Sequence, residues 1–547
     1  MLNDWDQHLV WHWVPYETVV RYGQIPLWNP FVCGGMPMLG HPQSRWLTPF
    51  FALHLVFGVD AGLKLEIIAH IALAFAGALI LARTYGLSRI AAVAPAAVFA
   101  GCSYWYLHLA EGHTTWLAYA YLPWIMAAAA AGRPLAAGIG LALAVMEGGA
   151  YAVAHALVAL VVLAAYRAVA ERTTRPFLVL ALAGLMAMGL AAPKLLEMQP
   201  LLTRYPRVVA SPEPVRVELA VRGLVDRRQD LLETPRVEPD YGFHEYGAYV
   251  GPFVLVLALL CAFVASRAMV PWLVLFCVTV AFALGWTLGG EHSPWALLHR
   301  VPLFASLRIP SRILIVAVLA LGMLAGFAVE GLTRRGSRWR IAAAATILAA
   351  AVIDMALVGP PNLRYVFHRP AVVREPSSTF IQRREEDFHE MYSLARANMG
   401  ALTCYEPLEP EVFPMGANEG EYRGEYYALF GADVKLLTWS PNQLTLAVVA
   451  DRSDVLVINS NYDASWQVVS GRGRTVNHEG LLAVEIQAGS QELVIGYART
   501  RFVVGLVIAI VALGLGVWFF MVRSVRLRNS GRNSYDSFPR SRIIRTR

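Results

Sequence analysis

The stretch SRILIVAVLALGMLAGFAVEGL, residues 311–332, carries only Arg312 at its head and Glu330 near its end as charges. At 1.5 Å per residue a helix of this length crosses the ~30 Å of hydrocarbon in a bilayer. Its flanks differ: Arg308 and Arg312 stand at the start, whereas Arg334, Arg335, Arg338 and Arg340 follow. Comparable apolar runs lie at about 62–85, 89–107, 115–132, 134–150, 151–170, 176–197, 248–266, 269–287, 340–358 and 501–522. About eleven such runs, in 547 residues that are 57% hydrophobic and 16% charged, predict a mainly α-helical, polytopic membrane protein.

Loop charge orients the spans. The tail from Arg523 to Arg547 holds eight arginines against one acid. A basic segment just after a span reads as a cytoplasmic anchor near anionic lipid, so the net charge of +7 does not call for nucleic acid. Counting back from an internal tail, alternate short loops are internal, and these carry Arg334, Arg335, Arg338, Arg340, Arg267, Arg167, Arg172, Arg175, Arg133, Arg83 and Arg89. Residues 1–61, 198–247 and 359–500 then lie outside. An external N-terminal segment needs something to carry it across, so a further helix before Asn3 is expected. The five cysteines, Cys33, Cys102, Cys261, Cys277 and Cys404, form no C-x-x-C pair and read as packing residues, with neither a zinc site nor a disulfide framework indicated.

Five segments follow: an external loop with an acidic motif (1–61), a multi-span domain (62–358, including external loop 198–247), an external mixed and β-rich domain (359–500), a last span (501–523) and a basic tail (524–547). In the first, Asp4-x-x-Gln7 has the form of a helix cap, and Trp5, Leu9, Trp13 and Val20 supply an apolar face for a helix lying along the membrane. The Gly- and Pro-rich run from Gly23 to Gln43 predicts a folded loop, and 46–58 is too short to cross. Near the C-terminus, alternating stretches at 434–438, 443–449, 455–459, 467–469, 481–486 and 492–497 predict an antiparallel β-sandwich after a less regular region, 360–430.

The polar residues that stand out collect on the external side. Asp4 and Asp6 flank Trp5; Glu111 and His113, Glu147 beside Gly148-Gly149, and Glu245 lie at outer helix ends; Lys194, Arg308 and Arg312 join them. Each has a bland role. Asp4 can cap a helix, Glu147 can bond between helices, Glu111 and His113 can be solvated loop residues, Lys194 can snorkel, and the arginines can pair with Glu111, Glu147 or Glu245. Arginine outside a span is the wrong place for an orientation signal, which makes a lipid phosphate a fair ligand for Arg308 and Arg312. No nucleotide-binding, nucleophile-elbow or zinc-protease motif is present.

With these residues placed, the chain resembles the bacterial YfhO-like membrane proteins within the C-type (GT-C) glycosyltransferase superfamily. The matching pieces are Asp4-Trp5-Asp6-Gln7, Ile25-Pro26-Leu27-Trp28-Asn29-Pro30, Glu147-Gly148-Gly149, Glu245-Tyr246-Gly247-Ala248-Tyr249-Val250-Gly251, Leu307-Arg308-Ile309-Pro310-Ser311-Arg312 and Asn459-Ser460-Asn461-Tyr462 through Trp466. The resemblance implies a transferase of the bacterial cytoplasmic (inner) membrane. It would move a sugar from a polyprenyl-phosphate donor to an extracytoplasmic glycan, lipid or protein acceptor, by single-displacement inversion.

Such transfer needs a base for the acceptor hydroxyl and positive charge for the departing phosphate. Asp6 is the preferred base because Asp4 has capping as a competing role, and Arg308 and Arg312 would receive the phosphate. Glu147, Glu245, His113, Glu111 and Lys194 are further candidates for substrate binding. The sequence assigns no cofactor; a divalent metal at Asp4 and Asp6 is compatible with the pair, but two carboxylates with no nearby histidine ligand pattern do not show one. The alternative class is a polytopic transporter or lipid flippase, which would favour internal repeats and midplane sites. A scaffold with a partner-binding β-domain leaves the acids and outer arginines unexplained.

Overall fold

The computed structural model describes residues 3–232, 242–264, 267–334, 337–368, 374–385, 388–404 and 411–535, with side chains to Met521. Arg335 and the side chains of the basic tail lie outside the described residues. The protein is mainly helical and polytopic, with a β-rich region near the C-terminus. All eleven apolar runs contain helix. Seven helices among the described residues are long and apolar enough to cross a membrane: Phe51–Thr84, Arg89–Glu111, Ala150–Glu171, Phe243–Phe263, Pro310–Arg334, Arg338–Tyr365 and Thr500–Met521. An eighth run is broken: Arg175–Leu190 and Ala192–Arg204 meet at 80° where Pro193 opens the second helix. The other three are shorter, namely Pro134–Met146, Arg267–Ala283, and the 3-10 turn Thr114–Tyr121 leading into Leu122–Ala130.

The connecting segments gather at the two ends of the bundle. At one end the three long polar segments meet: Asn3 Nδ2 donates to His368 O at 3.0 Å, Asp4 N to Glu111 O at 2.7 Å, and Arg204 Nη1 to Tyr462 O at 3.0 Å. At the other, Arg167 Nη1 donates to Ala130 O at 2.8 Å, Ser88 N to Glu330 Oε2 at 2.8 Å, and the Tyr85 and Trp272 rings meet at 4.9 Å. The helix Pro310–Arg334, with which the sequence reading began, is the most enclosed of the spans. Its small residues explain why: Gly322 lies against Pro95 and Gly326 against Leu87 and Pro95, so the helix Arg89–Gly101 can pack closely along it.

The first helix, Trp5–Val20, does not lie on a membrane surface as its apolar spacing predicts. Residues 5–12 are buried on every face, together with Val14, Pro15 and Thr18. Polar residues occupy the faces that an interfacial helix would turn to water, and they find partners on other segments, so no single apolar stripe is needed. Asp4 makes no side-chain cap; Asn3 Oδ1 instead accepts from Trp5 N at 3.2 Å.

The folded loop after this helix is a buried plug between the membrane helices and the sandwich. Trp28 packs on Trp466 and Tyr497, with ring centres 5.7 and 5.2 Å away. Asn461 Nδ2 donates to the carbonyls of Cys33 (2.7 Å) and Gly35 (3.2 Å). Gly35 has a φ of 101°, and a Cβ there would strike Trp28 and Ser460, so the strand can approach only a glycine. The sandwich has two four-stranded sheets, one ordered Gly473–His478, Leu481–Ile486, Asp454–Asn461, Tyr426–Ala428, the other Asp433–Ser440, Gln443–Ala450, Gly489–Tyr497, Trp466–Ser470. All six strands expected from sequence are present. Tyr426–Ala428 and Gly473–His478 are additional.

One cysteine expectation is overturned. Cys33 and Cys404 form a disulfide across 371 residues, joining the plug to the segment before the sandwich. Short-range spacing cannot reveal a pair that only the fold brings together. Replacing either cysteine by serine should leave the plug attached by non-covalent contacts alone. After limited proteolysis between the two sites, non-reducing electrophoresis should keep the fragments joined in the wild type and release them in Cys404→Ser. Free thiols at both positions in the untreated protein would contradict the bond.

A second expectation concerns pH. Burial pushes the Glu425 carboxyl up to about 7, although it accepts from Gln382 N at 2.7 Å and Tyr422 Oη at 2.8 Å. The folded state therefore holds a proton that the unfolded chain releases near pH 4.5. The contribution to stability is complete below that pH and is lost as pH rises through about 7. Denaturant unfolding should show stability falling across that window, and Glu425→Gln should flatten the fall; an unchanged slope would contradict the assignment.

Candidate functional site

Asp4 begins the site. A turn with Gly112 at φ 103° brings the helix end Ser103–Glu111 onto residues 4 and 5, so closely that a Cβ on Gly112 would lie 2.7 Å from Trp5 N. This places His113 Nε2 3.1 Å from Asp4 Oδ2 and His108 Nδ1 2.9 Å from His113 Nδ1. If His113 donates to the carboxylate, its other nitrogen must accept from His108, which fixes both tautomers. Asp4 is thereby oriented by a histidine pair. Its side chain keeps 19% exposure, so it remains reachable.

Arg312 forms the second part. Its Nε and Nη2 each lie 2.6 Å from a Glu245 oxygen, a two-pronged, charge-assisted pair. The guanidinium sits over Trp116 and Tyr151, 4.9 and 4.8 Å from their ring centres. Trp116 also stacks on His113 at 4.6 Å, and His244 Nε2 stands 3.6 Å from Glu245 Oε1 with its ring 6.2 Å from that of His113. Asp4, through His113, and Arg312 thus border one aromatic cluster. Tyr151 extends it, accepting from Arg308 N at 2.9 Å, and the Arg308 side chain is exposed. Between the arginines, Ile309 holds φ 58°, a costly position for a β-branched residue, and the turn is secured by Ser311 Oγ donating to Glu245 O at 2.9 Å.

A second, closed network adjoins this cluster. Arg45 donates to Glu147 Oε2 from Nε (3.0 Å) and Nη2 (2.5 Å), and Nη2 also reaches Glu66 Oε1 at 2.5 Å. His54 Nε2 lies 2.7 Å from Glu66 Oε2, and Tyr121 Oη donates to Glu147 Oε1 at 3.3 Å. The His54 ring stacks on His12 at 5.0 Å, and Thr114 Oγ1 lies 3.3 Å from His12 Nε2 and 3.1 Å from His8 Nδ1. Polar contacts therefore run from Glu147 back to the first helix. Burial lowers the His8 imidazole to about 3 and that of His12 well below its usual value, so both are neutral.

The candidates from sequence divide accordingly. Asp4, His113, Glu245 and Arg312 come together, and Arg308 is one tyrosine away. Glu111 meets Asp4 through its backbone carbonyl. Glu147 is fully buried against Arg45, while Gly148 and Gly149 admit Gln43 and Ala118 to close contact. Lys194 does not snorkel: buried at 1% exposure, its Nζ donates to the carbonyls of Pro42 (2.9 Å), Ser44 (2.6 Å) and Val145 (3.0 Å) and clamps the plug to the turn before Glu147. Asp6 turns away from Asp4 and is 2% exposed, accepting from Tyr392 N at 3.1 Å at the start of the helix Met391–Arg396. Residues two apart on a helix point in nearly opposite directions, which is why the two do not share a site.

That divergence also removes the fit of Asp4 and Asp6 to a shared divalent metal. Among the described residues, His12, His54 and Glu66, and Glu66, His70 and Glu147, place ligand atoms within 4.8 Å of one another. In the first group the two imidazoles are stacked at 7°, so their in-plane lone pairs do not converge, and in the second Arg45 already bridges the carboxylates. Neither carries metal chemistry. Arg45, Glu66, His54, His12 and Thr114 were not singled out in the sequence; Glu66 and His70, four apart inside an apolar run, were the available signal.

No family model matches the sequence, and no curated protein matches it. Among solved structures, the mycobacterial arabinofuranosyltransferase AftD, determined by single-particle cryo-EM, is similar with a TM-score of 0.42 and 18% identity, over 66% of this chain and 26% of AftD. The chain spans about a quarter of that protein's length.

Arg45→Met should expose the dependence of the site on its closed neighbour. Removing the guanidinium leaves Glu66 and Glu147 buried without their shared counter-charge, a loss of roughly 3–5 kcal/mol for a broken buried pair. Thermal unfolding of the purified protein should shift down strongly, and Arg45→Met combined with Glu66→Gln and Glu147→Gln should recover part of the shift. A single variant as stable as the wild type would show that the network is not a constraint.

Proposed function

We propose that this protein is a membrane glycosyltransferase that takes a sugar from a polyprenyl-phosphate donor and passes it to an acceptor hydroxyl at the outer face of a bacterial cytoplasmic membrane. The observation that carries the reading is the convergence of a histidine-oriented carboxylate, Asp4, with Arg312 and Arg308 around Trp116 and Tyr151, although the two halves are some three hundred residues apart. The resemblance of the same residues to the YfhO-like proteins supports it. The Cys33–Cys404 bond supports an oxidising compartment for the site end, because disulfides persist there and are rare in reducing cytosol.

Asp4 replaces Asp6 as the base. It retains exposure, and His113 fixes its direction without a competing cap. In the transfer, the acceptor oxygen attacks the anomeric carbon as Asp4 takes its proton, and the bond from that carbon to the phosphate oxygen breaks with the electron pair leaving on phosphate. Arg308, exposed beside the aromatic cluster, receives that negative charge. Arg312 is committed to Glu245 and holds Trp116 and Tyr151, so it positions the pocket. The aromatic faces of Trp116 and Tyr151 offer a surface on which a sugar can lie.

Asp4→Asn should lower transfer from radiolabelled polyprenyl-phosphate sugars in membranes by roughly 100-fold or more, the usual weight of a general base, while protein abundance stays near normal. Asp6→Asn should act on abundance and thermal stability first. Arg308→Gln should mainly weaken donor use. Undiminished transfer by Asp4→Asn would reject the base assignment, and transfer absent from the wild type across a panel of lipid-phosphate donors, with radiolabelled lipid translocated instead, would reject the transferase reading.

A further inference from the structure

The β-sandwich carries a cleft at the end away from the plug. Asn461 binds the plug through the carbonyls of Cys33 and Gly35. Asp454, at the other end of the same strand, stands about 23 Å away at ~3.3 Å per residue. There, a cavity of about 540 Å³ is bordered by Phe430, Asp454, Arg474, Glu485 and Gln487. That volume falls within the roughly 300–1,000 Å³ of small-molecule sites.

Of the aromatic residues from 426 to 497, Phe430 alone is exposed, at 56%; the others are buried or half-buried. It is also held still. Asp454, 5% exposed, accepts from Phe430 N and Ala432 N at 2.9 Å each and from Val455 N at 2.7 Å. Arg452 Nη2 donates to Phe430 O at 3.2 Å, and its guanidinium lies 5.6 Å from the ring centre. A ring fixed in water loses little freedom when a ligand covers it, and covering it removes apolar surface from water.

The rest of the rim is polar and charge-paired. Arg474 and Glu485 stand opposite each other on neighbouring strands, Nη2 to Oε2 at 3.0 Å, with side chains 76% and 52% exposed. This contact engages one N–H and one oxygen, so the pair keeps donors and an acceptor to offer a ligand. Gln487, exposed, adds an amide. With Arg474 paired and Asp454 taken up by backbone N–H groups, an ion gains little here. Hydroxyl groups, which both donate and accept, match such a rim, and the C–H face of a sugar lies flat on an aromatic ring. We propose that this cleft binds a neutral oligosaccharide. The proposal does not depend on the transferase reading, because no residue of the Asp4 and Arg312 cluster contributes to the cleft.

The full-length protein in lipid nanodiscs, free of glycoside detergent, would be titrated with maltotriose, cellotriose and mannotriose, and with trigalacturonic acid as a charged comparison. Saturation-transfer NMR reads the binding. At least one neutral trisaccharide should bind the wild type in preference to the charged one. Phe430→Leu should weaken that sugar roughly tenfold, whereas Phe430→Tyr, which restores the ring, should bind within about twofold of wild type. Lys435→Gln, exposed on the strand Asp433–Ser440, should leave binding unchanged. Thermal unfolding close to that of wild type would show that Phe430→Leu is folded. An unfolded variant would move the test to Gln487→Ala at the exposed rim, which should still weaken the sugar. Absence of binding by all three neutral sugars, preference for trigalacturonic acid, or equal binding by wild type and folded Phe430→Leu would overturn the proposal.

Discussion

Arg45 between Glu66 and Glu147 is the constraint on which the site end of the molecule depends. The three residues come from three places: Arg45 from the end of the plug after the first helix, Glu66 from the first long span, and Glu147 from the turn that separates Pro134–Met146 from Ala150–Glu171. Two carboxylates at 3% exposure or less cannot be left to one another in an apolar interior. A single guanidinium between them makes the plug, the span and the turn hold one another's positions. Lys194 adds four carbonyl contacts to the same junction.

From that junction the order spreads to the extramembrane part. The plug is also core to the sandwich: Leu27, Trp28 and Leu39 are buried with Leu446, Leu456, Trp466 and Ile495. The first helix is core to the segment before it, where Trp5, Leu9 and Val14 are buried with Leu394 and Ala395. The sandwich therefore cannot shift as an independent domain without exposing apolar surface on residues 5–39, at about 25 cal/mol per Å². The disulfide at Cys33 links the same two parts covalently.

Much of this fold was legible because its signals are local. An apolar run of twenty residues needs no partner to be read, and alternating strands such as Gln443–Ala450 announce themselves. The strand Gly473–His478 did not, since Arg474, Asn477 and His478 put polar side chains along an exposed edge and only pairing with Leu481–Ile486 makes it a strand. Loop parity brought Asp4 and Arg312 to one side, and the structure places them around one cluster. Parity cannot choose between Asp4 and Asp6. That choice rests on Tyr392, nearly four hundred residues away, whose N–H claims Asp6. The Arg45 network was illegible for the same reason, its members being joined across gaps of 12 to 102 residues.

Exposure then separates structural charge from chemical charge. Arg45, Glu66, Glu147, Lys194 and Asp6 are each at most 4% exposed, and every one has a contact within hydrogen-bond range that a ligand would have to break. Breaking such a contact costs desolvation and leaves the abandoned partner buried and uncompensated, so these residues are poor places for a substrate to bind. Asp4 and Arg308 differ in keeping exposure: one carboxylate is steered by a histidine at 3.1 Å, and one guanidinium is carried on a turn whose Ile309 is held at positive φ. The closed network lends rigidity to the end of the molecule at which Asp4 and Arg308 keep their exposure.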